Sequence, residues 1–385
     1  MAGLLLAASW GLSAAALVGT AYQVAATHLV RRFVTRLSPA RTGGGAPVSL
    51  LKPLCGDEPR LEANLRSFCD QDYPERQVVF VVHTADDAAL PVARRIAAEG
   101  GDVAVVVGGG RPVSGNPKIA NLLDMMPAVR HSILVLSDSD MEAPPGYLAA
   151  VVATLDQPGI GVATCLYVGR AAKGIWSRLG AMGINHGFLP SVLVAAAIGR
   201  TDGCFGATIA LRRDTLAAIG GFEALRDQLA DDYLLGAAVR ERGLAIGLVP
   251  CLPRSVVHES DFASLFAHEV RWGRTLASID RAGYLASVVI QPVPLALLAL
   301  ILAGGAAPAA VVMAAALLGR LWAVRGQERA LGLERQPAWL VVVRDLLSFA
   351  VQAAALSGRT VRWRGGRYRI GRRGVLVPCG ESRKS

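Results

Sequence analysis

Paired cysteines are missing from this chain. Its six cysteines (Cys55, Cys69, Cys165, Cys204, Cys251 and Cys379) are scattered, with no CxxC spacing. That excludes a disulfide framework and a cysteine-rich zinc site, and fits a reducing compartment. Charge is also scarce: Asp, Glu, Lys and Arg make up 18% of the 385 residues, against 52% hydrophobic. A chain with a mean hydropathy of +0.40 is neither disordered nor fibrous. No internal repeat is visible. No GK[ST] follows the glycines of Gly108–Gly115, so this loop is not a Walker phosphate loop.

Acidic residues are lacking where basic ones concentrate. Residues 31–41 carry Arg31, Arg32, Arg36 and Arg41 with no acid, and residues 359–385 carry a net charge of +8. The whole chain is at +10, so the remainder is slightly negative. A nucleic-acid binder would spread basic surface over its folded domain, so no nucleic-acid partner is expected. Basic residues that flank apolar blocks mark the cytoplasmic side of a membrane protein.

Met1–Val30 contains no Asp, Glu, Lys or Arg. About 20 apolar residues cross a bilayer core, so 1–30 reads as a transmembrane anchor. A cleaved signal peptide needs a basic stretch before its apolar run, and here the arginines follow it. Residues 46–280 read as a globular domain. Val48–Leu54, Gln77–Thr84, Asp102–Gly108 and Ile133–Ser137 read as strands, with helical patterns at Glu58–Gln71, Ala88–Glu99 and Lys118–Val129 between them. Such alternation predicts an α/β fold with a mostly parallel sheet, whose ligands bind at the carboxyl ends of the strands. Leu285–Gly319 is a second uncharged block, with turn chemistry at Gly304-Gly305-Ala-Ala-Pro308. It predicts a helical hairpin over 284–324, with helices at 284–303 and 307–324 and a possible kink at Pro292 and Pro294. A third apolar stretch, 338–357, is interrupted by Arg344-Asp345. A simple crossing would put the basic tail 358–385 outside, so an interfacial or re-entrant helix is preferred over a transmembrane one.

Ile133-Leu-Val-Leu-Ser-Asp138-Ser-Asp140 is the clearest chemical signal. If the strand continued, both carboxylates would share one face. At about 5 Å apart and an effective dielectric near 20 they would repel by about 3 kcal/mol, which a divalent cation would offset. Mg²⁺ or Mn²⁺ on Asp138 and Asp140 is one reading, and a polar turn with Asp140 near a helix N-cap is the other. His83-Thr-Ala-Asp86-Asp87 follows a predicted strand and would lie at the same edge. Asp231-Asp232 precedes a helical pattern and reads either as a cleft carboxylate pair or as helix capping. His268-Glu-Val-Arg271-Trp272 lies in an amphipathic stretch just before the second apolar block. Arg271 could stabilise a departing diphosphate and Trp272 could wall an apolar acceptor site, or both could be interfacial anchors. Asn116-Pro117-Lys118 opens a helix after a Gly-rich loop, which suits either phosphate approach or a plain surface loop.

Asp87, Asp138, Asp232 and the HxxRW of 268–272, in that order, resemble the D, D, D, (Q/R)xxRW signature of membrane glycosyltransferases of the GT-A fold. Val48-Ser-Leu-Leu-Lys-Pro-Leu54, Asp72-Tyr-Pro74, Asn116-Pro-Lys118, Leu229-Ala-Asp-Asp-Tyr233 and Trp363-Arg-Gly-Gly-Arg-Tyr-Arg369 are similar to segments of the ceramide glucosyltransferase family. Lys52–Pro59, Ser137–Met141, Thr164–Tyr167 and His268–Trp272 resemble the hopanoid-biosynthesis glycosyltransferases of bacteria within that group. His268 departs from the Gln or Arg of the signature, and Asp140 stands where the animal ceramide enzymes have Gly.

The resemblance implies a UDP-sugar donor, UDP-N-acetylglucosamine or UDP-glucose, and a membrane lipid acceptor, a hopanoid or a ceramide. It implies donor binding by Asp87, Asn116, Lys118 and Asp138, and Mg²⁺ or Mn²⁺ on Asp138 and Asp140. Asp232 would act as base, and His268, Arg271 and Trp272 would complete the catalytic set. It further implies a multi-pass protein of the bacterial inner membrane, with its catalytic domain in the cytoplasm and in contact with the bilayer.

Overall fold

The computed structural model describes residues 1–37, 45–108, 115–358, 360–363, 366–371 and 375–378. Parts of the predicted connector 41–47, the loop 108–115 and the tail 358–385 lie outside the described residues. So does Cys379.

The chain begins with the helix α1 (Ala2–Val34), which ends on Arg31 and Arg32. The globular domain is built on β1 (Val48–Pro53), β2 (Arg76–Val82), β3 (Ala104–Gly108), β4 (Ile133–Leu136), β6 (Ile160–Cys165), β8 (Ile209–Arg212) and β9 (Ala245–Val249). They form one seven-stranded sheet in the order β3-β2-β1-β4-β8-β6-β9. Only β8 runs antiparallel to its neighbours β4 and β6; the other pairings are parallel. The expected mostly parallel α/β sheet is what forms. β1 is buried along its whole length because apolar residues fill both faces. Leu50, Val78, Phe80 and Val135 pack on one side, Leu51, Val79, Val81 and Leu134 on the other.

Helices cover both faces. They are α2 (Leu61–Cys69), α3 (Ala89–Gly100), α4 (Pro117–Met125), α5 (Tyr147–Leu155), α8 (Arg213–Ala218) and α9 (Asp231–Glu241). A small second sheet joins β5 (Met141–Glu142), β10 (Arg254–Val257) and β7 (Val168–Ala171). Behind it, α6 (Gly174–Gly183) passes through a π-helical turn, Ile184–Phe188, into α7 (Leu189–Ala197). The amphipathic stretch forms α10 (Phe262–Ile279), opened by an Asp261–Ser264 capping box.

Beyond it lie α11 (Arg281–Ala286), α12 (Pro292–Leu302), α13 (Ala307–Leu331) and α14 (Ala338–Leu356). The segment expected as one helix over 284–303 is broken: residues 281–290 and α12 meet at 73°. Pro292 and Pro294 account for the break, since neither can donate into the preceding turn. Among the described residues, four helical segments are long and apolar enough to cross a membrane: Gly3–Val34, Gly174–Ala197, Ala307–Leu331 and Ala338–Leu356. The bent pair would make a fifth. Within the basic segment 358–385, the described residues form an antiparallel sheet of β11 (Thr360–Trp363), β12 (Gly366–Ile370) and β13 (Leu376–Pro378).

Candidate active site

β4 stops at Leu136, so Asp138 and Asp140 occupy the turn between β4 and β5, not the strand itself. The same-face geometry of a strand therefore does not apply. The two carboxylates lean on different partners. Asp138 Oδ1 lies 2.6 Å from Lys118 Nζ. Asp140 Oδ2 accepts a 2.6 Å hydrogen bond from Ser255 Oγ of β10. Burial and the neighbouring Asp138 still push the Asp140 carboxyl above its ordinary pKa.

Lys118 gathers the acidic residues. Asn116 caps α4, accepting from the Lys118 N–H at 2.9 Å, and Pro117 suits the first helical turn. The Asn116 amide donates to Gln228 O at 2.8 Å and to Asp231 Oδ1 at 3.1 Å, which ties the start of α4 to the start of α9. Burial pulls the Lys118 ammonium down, but Asp138, Asp231 and Asp232 outweigh it and hold its pKa above the ordinary value. Burial raises Asp231 to about 6 despite Lys118, and it raises Asp232 as well. Asp232 Oδ2 accepts from Gly206 N at 3.1 Å and Oδ1 from Tyr233 N at 2.7 Å. A Cβ at Gly206 would stand 3.1 Å from Asp138 Oδ2, 3.3 Å from Lys118 Nζ and 3.7 Å from Asp232 Oδ2. Glycine here leaves open the space on which all three converge.

Asp87 is placed differently. Its Oδ1 accepts from Gly56 N at 2.9 Å and Ala89 N at 2.8 Å, joining the loop after β1 to the start of α3. His268 Nδ1 lies 2.5 Å from Glu259 Oε1, and its ring meets Trp272 edge-on at 4.3 Å. Burial would raise the Glu259 carboxyl, but the His268 hydrogen bond and charge hold it below the usual range. Trp272 is 40% exposed. Arg271 is half-buried on the same helix.

Four participants lay outside the motif reading. Lys52 is fully buried in β1, with Nζ 2.5 Å from Asp138 O, 3.4 Å from Ser137 Oγ and 3.8 Å from the Phe68 ring centroid. Burial drags its pKa down to about 7 against the pull of Asp140 and Asp138. Glu58 accepts from Ser139 Oγ at 2.8 Å, and burial and Asp140 raise it to about 7. His258, just after β10, is close enough for its charge to act on both Asp140 and Glu58. Ser255 completes the set. A lysine inside the apolar run Val48-Ser-Leu-Leu-Lys-Pro was the available signal for the first of these.

Among the described residues, no three His, Cys, Asp or Glu side chains converge as a ready metal cage. The donor set nevertheless fits a hard divalent cation. Glu58 Oε2 is a buried acceptor without a donor, and Asp140 is crowded by a second carboxylate. Mg²⁺ is commonly held by only one or two carboxylates, with water and phosphate supplying the rest.

Comparison with known proteins places the fold and the family. The mannosyltransferase PcManGT from Pyrobaculum calidifontis, solved with GDP-Man and Mn²⁺, superposes with a TM-score of 0.52 at 20% identity, covering 90% of this chain and 98% of that one. The likeness establishes the GT-A glycosyltransferase fold. Ceramide glucosyltransferase 1 of Caenorhabditis elegans is 26% identical over 238 residues, 60% of this chain and 50% of that protein. Ceramide glucosyltransferase 3 of the same organism is 25% identical over 214 residues, 54% of this chain and 46% of that protein. The chain thus spans about half the length of the curated relatives it matches. The family model for glycosyl transferase family 21 matches residues 11–376, from within the first apolar helix to the start of the last strand of the tail sheet, and the chain belongs to that family.

Proposed function

We propose that this chain is an inverting, metal-dependent hexosyltransferase that moves a sugar from a UDP-sugar to a hydroxyl of a membrane lipid. One observation carries the reading: Asp138, Asp231 and Asp232 gather on Lys118 beside a turn that also holds Asp140. That cluster sits at the carboxyl edge of the sheet, where GT-A folds receive nucleotide sugars. Residues next to it lead toward α10: the charge of His258 reaches Asp140, its neighbour Glu259 holds His268, and His268 packs on Trp272 of α10.

In this reading Asp232 takes the proton of the acceptor hydroxyl. Its pKa, raised by burial, makes it a better proton acceptor than a solvated carboxylate. The Gly206 and Tyr233 N–H groups fix its orientation. Asp138 and Asp140 would hold Mg²⁺ or Mn²⁺, which supplies charge neutralisation on the diphosphate. Lys118 binds the donor's phosphate side, Asn116 holds the start of α4 that carries Lys118, and Asp87 binds the nucleotide. Arg271 offsets the charge that develops on departing UDP. Attack from the face opposite the leaving group inverts the anomeric centre without a covalent enzyme intermediate.

The acceptor follows from the apolar helices and the segment resemblance. A polyhydroxylated hopanoid receiving N-acetylglucosamine is the reading of the segments around Lys52, Asp138, Thr164 and His268. A ceramide receiving glucose is the second reading, supported by the two nematode relatives. In either case the nucleotide sugar comes from the cytoplasm and the catalytic domain lies against the inner leaflet of the bacterial cell membrane. Mass spectrometry of membrane lipids from cells with and without this chain tests the proposal. A hexose or N-acetylhexosamine increment on a triterpenoid or a ceramide is expected, and lipid profiles that match in both strains would refute it.

A further inference from the structure

The Arg344-Asp345 pair, an oddity in an apolar stretch, is fully accounted for by ion pairs. Arg344 forks onto Glu269 of α10, with Nη1 to Oε1 at 2.5 Å and Nη2 to Oε2 at 2.7 Å. The two side chains are 5% and 13% exposed. Arg344 Nη1 also donates to Leu179 O of α6 at 3.1 Å, and Nε and Nη2 donate to Ser348 Oγ at 3.1 and 2.8 Å. Every guanidinium nitrogen is thus engaged. Gly183 makes the room, since a Cβ there would stand 3.2 Å from Nη1 and 3.4 Å from Glu269 Oε1.

The next residue pulls the other way. Asp345 accepts from Arg320 Nε and Nη2 of α13 at 3.0 to 3.1 Å. Arg320 Nη1 goes on to Gln23 Oε1 of α1 at 2.9 Å and to His186 O of the π-helical turn at 3.2 Å. Rotation and register of α14 are therefore fixed by directional bonds from both sides, and Arg344 passes that fixed point on to α10.

The beneficiary is the helix that carries the HxxRW set. At 100° per residue, His268 and Trp272 lie within about 100° of Glu269, and Arg271 lies about 160° away, nearly opposite. Docking Glu269 on α14 therefore turns Arg271 to the other side. That side is held too: Arg274, near Arg271 on the wheel, donates to Thr360 O of the tail sheet. The tail sheet in turn bridges Val375 to Gln228, three residues before Asp231. The apolar packing between α10 and α14, a cluster that includes Leu265, Val270, Leu340 and Val341, is non-directional and leaves rotation free. A bidentate Arg–carboxylate pair does not.

We infer that Arg344 and Glu269 are positioning residues for the transfer reaction, setting the rotation of α10 so that His268, Arg271 and Trp272 are presented to the site. The inference rests on the proposed transferase function. Its test uses the full chain in lipid nanodiscs, with UDP-glucose or UDP-N-acetylglucosamine and with ceramide or bacteriohopanetetrol as acceptor probes. Arg344→Lys keeps the charge and breaks the fork. The double variant Arg344→Met/Glu269→Leu removes both charges and keeps the burial.

Both variants should lose about 10- to 100-fold in kcat with KM for the donor within about twofold of the parent, because misplacing a catalytic group slows the chemistry more than it weakens binding. The double variant should keep the parent's melting temperature. Full kcat in the double variant, or a lower melting temperature in Arg344→Lys with unchanged kcat, would overturn the inference. A nitroxide at Leu276→Cys in a Cys55→Ser/Cys379→Ser background reads α10 without turnover. Its mobility should change on Arg344→Lys, and an identical spectrum would likewise overturn the inference. If the parent transfers no sugar while the spectrum still changes, the transferase reading fails and the anchoring of α10 stands.

Discussion

Lys52 shows how far the site departs from a solvated cleft. It is fully buried, and the drop of its pKa from 10.5 to about 7 means burial disfavours the ammonium by a few kcal/mol, on the order of 1.4 kcal/mol per unit. A lysine depressed in the folded state costs stability fully below about pH 7, and the cost fades as pH rises toward the unfolded value. The melting temperature of Lys52→Met relative to the parent should therefore be more favourable at pH 6 than at pH 9; an equal difference at both would contradict the assignment. The carboxylates make a second prediction. Asp232→Asn keeps the shape of the side chain and one acceptor for the Gly206 or Tyr233 N–H but removes the proton acceptor. Its kcat should fall by about 10²- to 10⁴-fold while UDP-sugar binding by calorimetry stays near the parent's. At this scale the acidic motifs were readable because charged residues are rare in an apolar chain. The orientation of Asp138 and Asp140 was not, because the strand stops with its apolar run at Leu136 and tertiary partners decide each side chain's direction beyond it.

The elements divide along the same line between local pattern and tertiary context. The β-α alternation of 48–136 was legible because strand and helix periods differ and each run is bounded by turn residues. The apolar run through α6, the π-helical turn and α7 went unnoticed. Arg178 and His186 interrupt it, and 56% of its most apolar window is covered by the protein. Charge and the resemblance of Trp363–Arg369 marked the tail without giving it secondary structure, yet Thr360-Val-Arg-Trp363 and Gly366-Arg-Tyr-Arg-Ile370 alternate with a period of two, which is a strand signal. Packing of the apolar helices depends on small residues. A Cβ at Gly326 of α13 would meet Thr27 of α1 at 2.7 Å, and one at Gly319 would meet Thr20 at 2.5 Å. Gly326→Leu should wedge α1 from α13 and cost about 1–3 kcal/mol, read as a lower melting temperature in detergent, whereas Leu at exposed Gly3 should not. Equal melting temperatures for the two would refute this close packing.

Across the whole molecule, the helices define one direction. Thr20 and Thr27 of α1 face Gly319 and Gly326 of α13, so these two run parallel. Ser9 bonds Ala299 O and Gly19 approaches Val289, so α12 runs antiparallel to α1. The turn at 303–306 thus lies at the Met1 end, and Arg31 and Arg32 lie at the end from which the sheet domain begins. If the basic end is cytoplasmic, an impermeant maleimide added outside intact cells should label Ala306→Cys and not the exposed Cys55. The reverse pattern would invert the topology. The basic residues that follow the first apolar helix were readable from the sequence, while the joining of α10, α14 and the tail sheet depends on long-range contacts that no local pattern encodes. With purified chain, a UDP-sugar, a divalent cation and a lipid acceptor in one vesicle, the measurement is UDP release with matching glycolipid formation. Release should require both lipid and cation and should collapse in Asp232→Asn; release at the parent's rate from that variant, or glycolipid formed in the presence of a chelator, would contradict it.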